Sequence, residues 1–204
     1  ASANGTTWNA ASTQKVQRLL AADRYYLYAF DSTQILATTD LNTWATNGMR
    51  YMNLLPDQYI SSTSYNTRTN DNLQVDILAG VSSQQTNHAV VWYKIAAKEQ
   101  ASNQQWDCIT VSANNPYPLP VLQNLTIFHY NDALYALGGD NKRFYKSEDN
   151  GITWKEMTEY QFPPVALIPN KPVSVAVSGE HVIMIQTNNE GSVTMWKGKI
   201  NKLK

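Results

Sequence analysis

The chain has little cysteine, little net charge and no long apolar run. Cys108 is the single cysteine among 204 residues, and its place in a predicted strand indicates a buried structural thiol. The 16 basic and 16 acidic residues balance, and no Lys/Arg run occurs, which argues against a nucleic-acid or anionic-membrane partner. No apolar stretch is long enough to cross a bilayer. The 204 residues are enough for one domain that buries its own core.

Processing and cofactor signals are also missing. No signal peptide is visible and Ala1 is not an initiator methionine, so we expect a mature or trimmed polypeptide. The three histidines, His88, His129 and His181, lack ligand spacing, and no metal site is predicted. No Gly-rich phosphate loop or Gly-x-Ser-x-Gly elbow is present. We therefore predict no cofactor.

One octapeptide, at residues 147–154, is the most specific signal present. Its five defining residues are Ser147, Asp149, Gly151, Thr153 and Trp154. In such a turn the aspartate accepts backbone N–H bonds, the glycine supplies a positive φ, and the tryptophan packs as an apolar plug. Degenerate copies, one residue shorter, occur at residues 38–44 and 2–8. A motif that recurs predicts architecture, and this one is structural rather than catalytic.

A larger repeat has the same register. Apolar strands recur at Tyr26, Val75, Leu134 and Val182, spaced 49, 59 and 48 residues apart. Each has a predicted strand before it, at 16–22, 60–65, 125–130 and 173–177, and another after it, at 34–38, 89–95, 143–146 and 192–200. A strand bearing Trp44, Trp106 or Trp154 then follows, with prolines beyond it.

This repeat predicts an all-β fold, a β-propeller of about four blade-like four-stranded units, in one domain over residues 1–204. The units run roughly over 15–47, 59–111, 121–158 and 172–204, with 1–10 added to the last. The fourth unit lacks its Trp strand. Either the N-terminal strand completes it, or the chain is the C-terminal arc of a larger propeller.

Two segments are harder to interpret. Residues 11–22 have a helical composition, whereas the repeat register makes their second half a strand, and we favour the strand. The second unit is longer than the others. We expect the excess in Gln/Asn/Ser-rich hairpin tips at residues 82–87 and 98–105.

Three features together carry a family resemblance: the octapeptide, the run at residues 134–139, and the ending at 196–203. The octapeptide resembles the Asp-box (BNR repeat) of sialidase-type propellers, and the run at 134–139 is kelch-like. In combination the chain resembles uncharacterised secreted propeller domains of gut bacteria, whose proteins often carry a lipid anchor and an upstream domain. The resemblance implies an extracytoplasmic location, secreted, periplasmic or anchored to the cell surface through an N-terminal portion, and no established activity.

A sialidase is not favoured by the arginines. A sialidase needs three arginines that bind the carboxylate of its substrate. The Arg-Ile-Pro signature of that family is also absent, because Leu167 precedes Ile168 and Pro169 where the signature has arginine. Other glycoside hydrolysis needs paired carboxylates. The candidate acids have no motif around them: Asp23, Asp57, Asp71 and Asp76. Asp76 lies in an apolar strand, so it either faces the channel or meets a partner.

A binding module is the better-supported class, and no catalytic residue is assigned. Propellers present loops around one face, where exposed aromatic side chains stack on sugars or anchor proteins. The candidate binding residues are Tyr59, Tyr65, Tyr117 and Tyr160, each of which could equally pack against the core. The sequence therefore predicts a non-catalytic binding or scaffold module for a glycan or a cell-surface protein, with a glycan-active enzyme as the alternative.

Overall fold

The computed structural model describes residues 5–7, 14–16, 18–22, 26–31, 33–46, 54–67, 73–97, 106–109, 117–138, 143–158, 168 and 171–199. Within these ranges the chain forms fifteen strands and no α-helix. A membrane-spanning helix is accordingly not found among them. The chain is a four-bladed β-propeller, as the repeat predicts.

The strands form four antiparallel sheets, each built from consecutive strands. Blade 1 contains β1 (Arg18–Ala22), β2 (Leu27–Phe30), β3 (Ile35–Thr38) and β4 (Ala45–Thr46). Blade 2 contains β5 (Gln58–Asn66), β6 (Leu73–Ser82), β7 (Gln85–Ala97) and β8 (Asp107–Ile109). Blade 3 contains β9 (Thr126–Tyr130), β10 (Ala133–Leu137), β11 (Phe144–Ser147) and β12 (Lys155–Glu156). Blade 4 contains β13 (Ser174–Ser178), β14 (His181–Thr187) and β15 (Val193–Lys199).

The core lies between consecutive blades. Because side chains alternate between the two faces of a strand, β6 sends Ile77 towards blade 3 and Leu78 towards blade 1, and both are fully buried. A third apolar cluster joins blades 3 and 4. Cys108 is buried in the cluster between blades 1 and 2, where desolvation and the nearby Asp107 raise the pKa of its thiol to about 12. The predicted structural thiol is confirmed.

The strand interpretation of the first segment is confirmed, since β1 occupies Arg18–Ala22. The expected long hairpin tip at residues 82–87 is wrong. Ser82 pairs directly with Gln85 across a two-residue turn, and β6 and β7 lengthen to 10 and 13 residues instead. The prediction was wrong because the polar residues at the end of these long strands have the composition of a loop. Residues 98–105 lie outside the described residues.

The completion of blade 4 by the N-terminus stays a prediction. Of residues 1–10 the structure describes only 5–7, and these are not in a strand. Among the described residues blade 4 has three strands, and the other blades have four each.

Candidate binding site at the channel mouth

The innermost strands of all four blades begin around one cavity. It has a volume of about 460 Å³, and every blade contributes to its lining. Arg18 and Leu19 come from β1, residues 59–62 from β5, 124–127 from the start of β9, and 172–175 from the start of β13. We call this cavity the channel mouth. Its size lies within the range of small-molecule sites.

Hydroxyl groups recur at one register position of the channel mouth. The repeat aligns residues 75, 134 and 182, and the residue three positions after each of these pairs with a hydroxyl residue of the preceding strand. The three pairs are Leu78 with Ser62, Leu137 with Thr126, and Ile185 with Ser174. The three hydroxyl residues are therefore equivalent residues of β5, β9 and β13. Thr126 is buried, whereas Ser62 is half-buried and Ser174 is exposed. Because hydroxyls both donate and accept hydrogen bonds, Ser62 and Ser174 present adaptable polar groups towards one opening.

Hydroxyls also tie consecutive blades together here. The Ser61 Oγ accepts a hydrogen bond from the Ile127 N–H at 2.9 Å. The Thr126 Oγ1 donates to the Val173 carbonyl at 2.5 Å. Both bonds are buried, where an unmade hydrogen bond is expensive. They hold the starts of β5, β9 and β13 in a defined arrangement around the channel mouth.

Tyr59 is the aromatic side chain of the channel mouth, and its backbone is strained. Its φ is 52°, which is unfavourable for a bulky L-residue and costs about 1–3 kcal/mol. The register of β5 against β6 shifts between Gln58 and Ser61, so Tyr59 sits in a β-bulge. Bulges re-aim side chains and are common beside functional sites. Tyr59 is 36% exposed, so part of the residue is open to a ligand.

The segment before Tyr59 lies tightly against β6. A Cβ added to Gly80 would lie 2.7 Å from the Pro56 Cβ and 2.9 Å from the Gln58 carbonyl oxygen. The Asp57 carboxylate accepts the Ser83 N–H at 3.0 Å. The absence of a side chain at Gly80 thus permits residues 56–58 to lie close to β6, as the bulge requires. The hydrogen bond from the Ser83 N–H to Asp57 fixes the direction of this segment.

Arg18 is the one charged side chain among the described residues that line the channel mouth. It is exposed at the start of β1, and desolvation of part of the group lowers its pKa below the ordinary value. No described carboxylate forms an ion pair with it. The guanidinium is therefore available to an anionic group of a ligand.

The family of the chain follows from a direct comparison. A family model described as the DUF6242 beta propeller domain matches residues 1–204. The chain belongs to this family. No curated protein matches this DUF6242 domain.

Solved structures resemble the DUF6242 domain at low identity. The α-L-arabinofuranosidase Arb93A from Fusarium graminearum, in complex with an iminosugar inhibitor, has 12% identity and a TM-score of 0.46, covering 91% of this chain and 58% of that one. Ycf48 from Cyanidioschyzon merolae has 14% identity and a TM-score of 0.42, covering 91% and 57%. The polysaccharide lyase Uly1 has 9% identity and a TM-score of 0.37, covering 86% and 43%. The chain thus spans less than two thirds of each.

Two other predicted tyrosines of the DUF6242 domain, Tyr65 and Tyr117, are not among the described residues that line the channel mouth. Tyr65 stacks on His129, with ring centroids 3.8 Å apart, and its hydroxyl donates to the Asn150 Oδ1 at 2.6 Å. Burial, and then the charge of Asp132, raise the pKa of Tyr65 above its usual range. Its contacts join blades 2 and 3.

Tyr117 is 63% exposed but lies elsewhere. Its carbonyl accepts the Trp154 N–H at 2.8 Å, and it lines a separate surface pocket of about 580 Å³ beside the 147–154 turn. Tyr160 lies outside the described residues. Of the three described candidates, Tyr59 alone is placed at the channel mouth.

The 147–154 turn of the DUF6242 domain is a closed hydrogen-bond network around Asp149. The carboxylate accepts the Ser147 hydroxyl at 2.8 Å and, from Thr153, the backbone N–H at 2.8 Å and the hydroxyl at 2.5 Å. Gly151 has a φ of 91°, and its carbonyl accepts the Trp154 Nε1–H at 2.9 Å. The turn therefore fixes the Trp154 ring, which is 4% exposed between blades 2 and 3.

Blade 1 has a related turn. The Asp40 carboxylate accepts the Asn42 and Thr43 N–H groups, both at 2.8 Å, and the Thr38 hydroxyl at 3.1 Å. Leu41, at φ 65°, follows Asp40 as Asn150, at φ 59°, follows Asp149, so both turns take the left-handed conformation directly after the aspartate. The shortened copy thus keeps the aspartate-centred bonding, and Trp44 after it is half-buried.

The Asp149 network predicts a pH dependence of stability. Burial alone would raise the pKa of Asp149, but hydrogen bonds from Thr153 and Ser147 outweigh it and lower the pKa. A carboxyl with a depressed folded-state pKa stabilises above its unfolded value of about 4, and this contribution is lost as the pH falls through the folded value. We expect Asp149→Asn to lower the free energy of unfolding by about 1–3 kcal/mol at pH 7. The variant should also lose less stability than the natural chain as the pH falls.

Urea unfolding at pH 7, 5 and 3 measures this effect. The natural chain should lose stability on acidification more steeply than the Asp149→Asn variant. Glu190→Gln, which changes an exposed acid in the β14–β15 turn, serves as the control for loss of one negative charge. Parallel pH profiles for the natural chain and the Asp149 variant would contradict the assigned network.

The acids considered for catalysis lie away from the channel mouth or outside the described residues. Asp76 is 1% exposed and accepts the Ser64 hydroxyl at 2.5 Å. It pairs in register with Lys94 on the face of blade 2 that meets blade 1. The Asp57 carboxylate accepts a hydrogen bond from the Ser83 N–H. Asp23 and Asp71 are not described. Asp76 therefore meets partners rather than the channel, and the described residues include no cluster of potential metal ligands.

Proposed function

We propose that this DUF6242 domain is a non-catalytic, extracytoplasmic binding module that takes a glycan at the channel mouth. The observation that carries the proposal is Tyr59, held in a strained bulge at the edge of a 460 Å³ cavity. Strained conformations cluster at functional sites. An aromatic face with surrounding hydroxyls is suited to the apolar and polar faces of a sugar.

A concave cavity favours a saccharide over a protein as the occupant. Protein interfaces are broad, about 800 Å² per partner, whereas this opening is confined to the starts of four strands. The extracytoplasmic location rests on the low charge content, the many Asn, Gln, Ser, Thr and Tyr residues, and the resemblance to secreted Asp-box and kelch-like propellers. Anchoring of a larger polypeptide is compatible with this role.

Hydrolysis is supported less well than binding. Glycoside hydrolases use two carboxyl groups about 5–10 Å apart, and the described residues that line the channel mouth supply hydroxyl, amide, apolar and guanidinium groups. A cavity with these groups binds a sugar without activating water or protonating a leaving group. The geometry therefore favours a binding module.

Replacing Tyr59 tests the proposal. Asparagine tolerates a positive φ, so Tyr59→Asn removes the ring and keeps the backbone. We expect binding to an array of neutral and acidic oligosaccharides to weaken at least about tenfold, as the loss of about 1.4 kcal/mol would give. Thermal stability should stay equal or rise, because the bulky residue no longer occupies a strained position.

Tyr117→Asn is the matched control, since Tyr117 is an exposed tyrosine outside the channel mouth. It should bind like the natural chain. The proposal fails if no oligosaccharide binds the natural chain, or if Tyr117→Asn rather than Tyr59→Asn abolishes binding.

A further inference from the structure

The described residues that line the channel mouth carry charge of one sign only, although the chain as a whole is neutral. Sixteen acidic residues equal sixteen basic ones over the sequence. Among the described lining residues, however, Arg18 carries the single formal charge. The described lining of the opening therefore carries a net positive charge.

The chain supplies no described counter-ion to Arg18. The nearest acid along the lining segments is Asp57, two residues before Tyr59, and its carboxylate is bonded to the Ser83 N–H at the β6–β7 turn. The remaining described lining groups are neutral. An arginine partly removed from water and lacking a partner gains more from an incoming carboxylate than a fully hydrated one does.

Arg18 and Tyr59 belong to neighbouring inner strands. β1 contacts β5 directly, so the Arg18 guanidinium and the Tyr59 ring lie on adjacent walls of one cavity. Ser62, Thr126 and Ser174 lie on the walls formed by β5, β9 and β13. A sugar ring over Tyr59 can direct an acidic substituent to Arg18 while its hydroxyls meet the hydroxyls of Ser62 and Ser174, which are half-buried and exposed, respectively.

We infer that the ligand is an acidic saccharide, whose carboxylate or sulfate group is bound by Arg18 while the sugar ring contacts Tyr59. This inference rests on the proposed function and specifies its ligand. Arg18 is then the specificity-determining residue. The planar fork of arginine matches the two oxygens of a carboxylate or sulfate, which a lysine does not reproduce.

Paired oligosaccharides of equal length test the inference. An oligogalacturonide and its methyl ester differ in the charge of the carboxyl group and in one small methyl substituent. A sulfated oligosaccharide and its desulfated form test sulfate. Calorimetric titration of the full chain should show at least about tenfold tighter binding of the acidic member of one pair. The carboxylate and sulfate sources are distinguished by which pair shows the preference. The preference should shrink as salt rises from about 0.05 to 0.5 M.

Arg18 variants complete the test. Arg18→Gln should abolish the preference by weakening binding of the acidic member at least about tenfold relative to the uncharged member, whereas Arg18→Lys should keep part of the preference. Arg143→Gln, an exposed arginine at the start of β11, controls for net charge and should keep the full preference. Equal binding of charged and uncharged members would overturn the inference and leave the proposed function standing. A preference that survives Arg18→Gln would overturn the role of Arg18, and binding of no saccharide at all refutes both proposals.

Discussion

Replacing Trp154 with alanine should lower the free energy of unfolding by about 3–5 kcal/mol. The ring is 4% exposed and belongs to the apolar cluster between blades 2 and 3. Its removal leaves a cavity and also breaks the Nε1–H bond to the Gly151 carbonyl. In a chain of this size such a loss lowers the melting temperature by roughly 6–20 °C.

Trp44→Ala is the internal control for this prediction. Trp44 follows the related turn in blade 1 but is only half-buried, so its loss should cost clearly less. Trp154→Phe should fall between the two, because it keeps an aromatic ring and loses the hydrogen bond. A loss below about 1 kcal/mol for Trp154→Ala would reject its role as an interblade plug.

Replacing Gly80 with alanine should destabilise the domain and weaken ligand binding together. The new methyl group would lie 2.7 Å from the Pro56 Cβ and 2.9 Å from the Gln58 carbonyl oxygen, so backbone must shift. Overpacking of this kind costs about 1–3 kcal/mol. Because the displaced segment leads into Tyr59, affinity for the oligosaccharide should fall by about tenfold or more.

Gly198→Ala is matched to this change, since no atom lies within 4 Å of the Cβ it would add to β15. It should leave stability within about 0.5 kcal/mol of the natural chain. Chemical denaturation and calorimetric titration measure the two effects on both variants. Full affinity in a destabilised Gly80→Ala chain would show that the approach of residues 56–58 to β6 does not position Tyr59.

The blades were predictable because each strand has a local signal. Apolar runs such as β10 lie between turn residues, and both faces of these strands are buried, so composition and spacing suffice. The turn around Asp149 was predictable for the same reason, since the hydrogen bonds of the Asp149 carboxylate and the Ser147 hydroxyl lie within eight consecutive residues.

The site was less predictable because it depends on contacts between distant residues. The bulge at Tyr59 requires the missing side chain of Gly80, on another strand. Arg18 lies in a segment of helical composition, and its significance appears only when four strand starts meet. A single positive charge at the start of an innermost strand was the one available signal.

The sheet order has a consequence for how the chain folds. Every described strand pairs with its immediate sequence neighbour, so these four sheets can form their first hydrogen bonds without distant segments meeting. Loop-closure entropy is then small for each pairing, and folding should be fast for an all-β chain. Contacts between blades join sequence neighbours as well. Folding can therefore start in any blade and spread to the next one, in the manner of a linear repeat array.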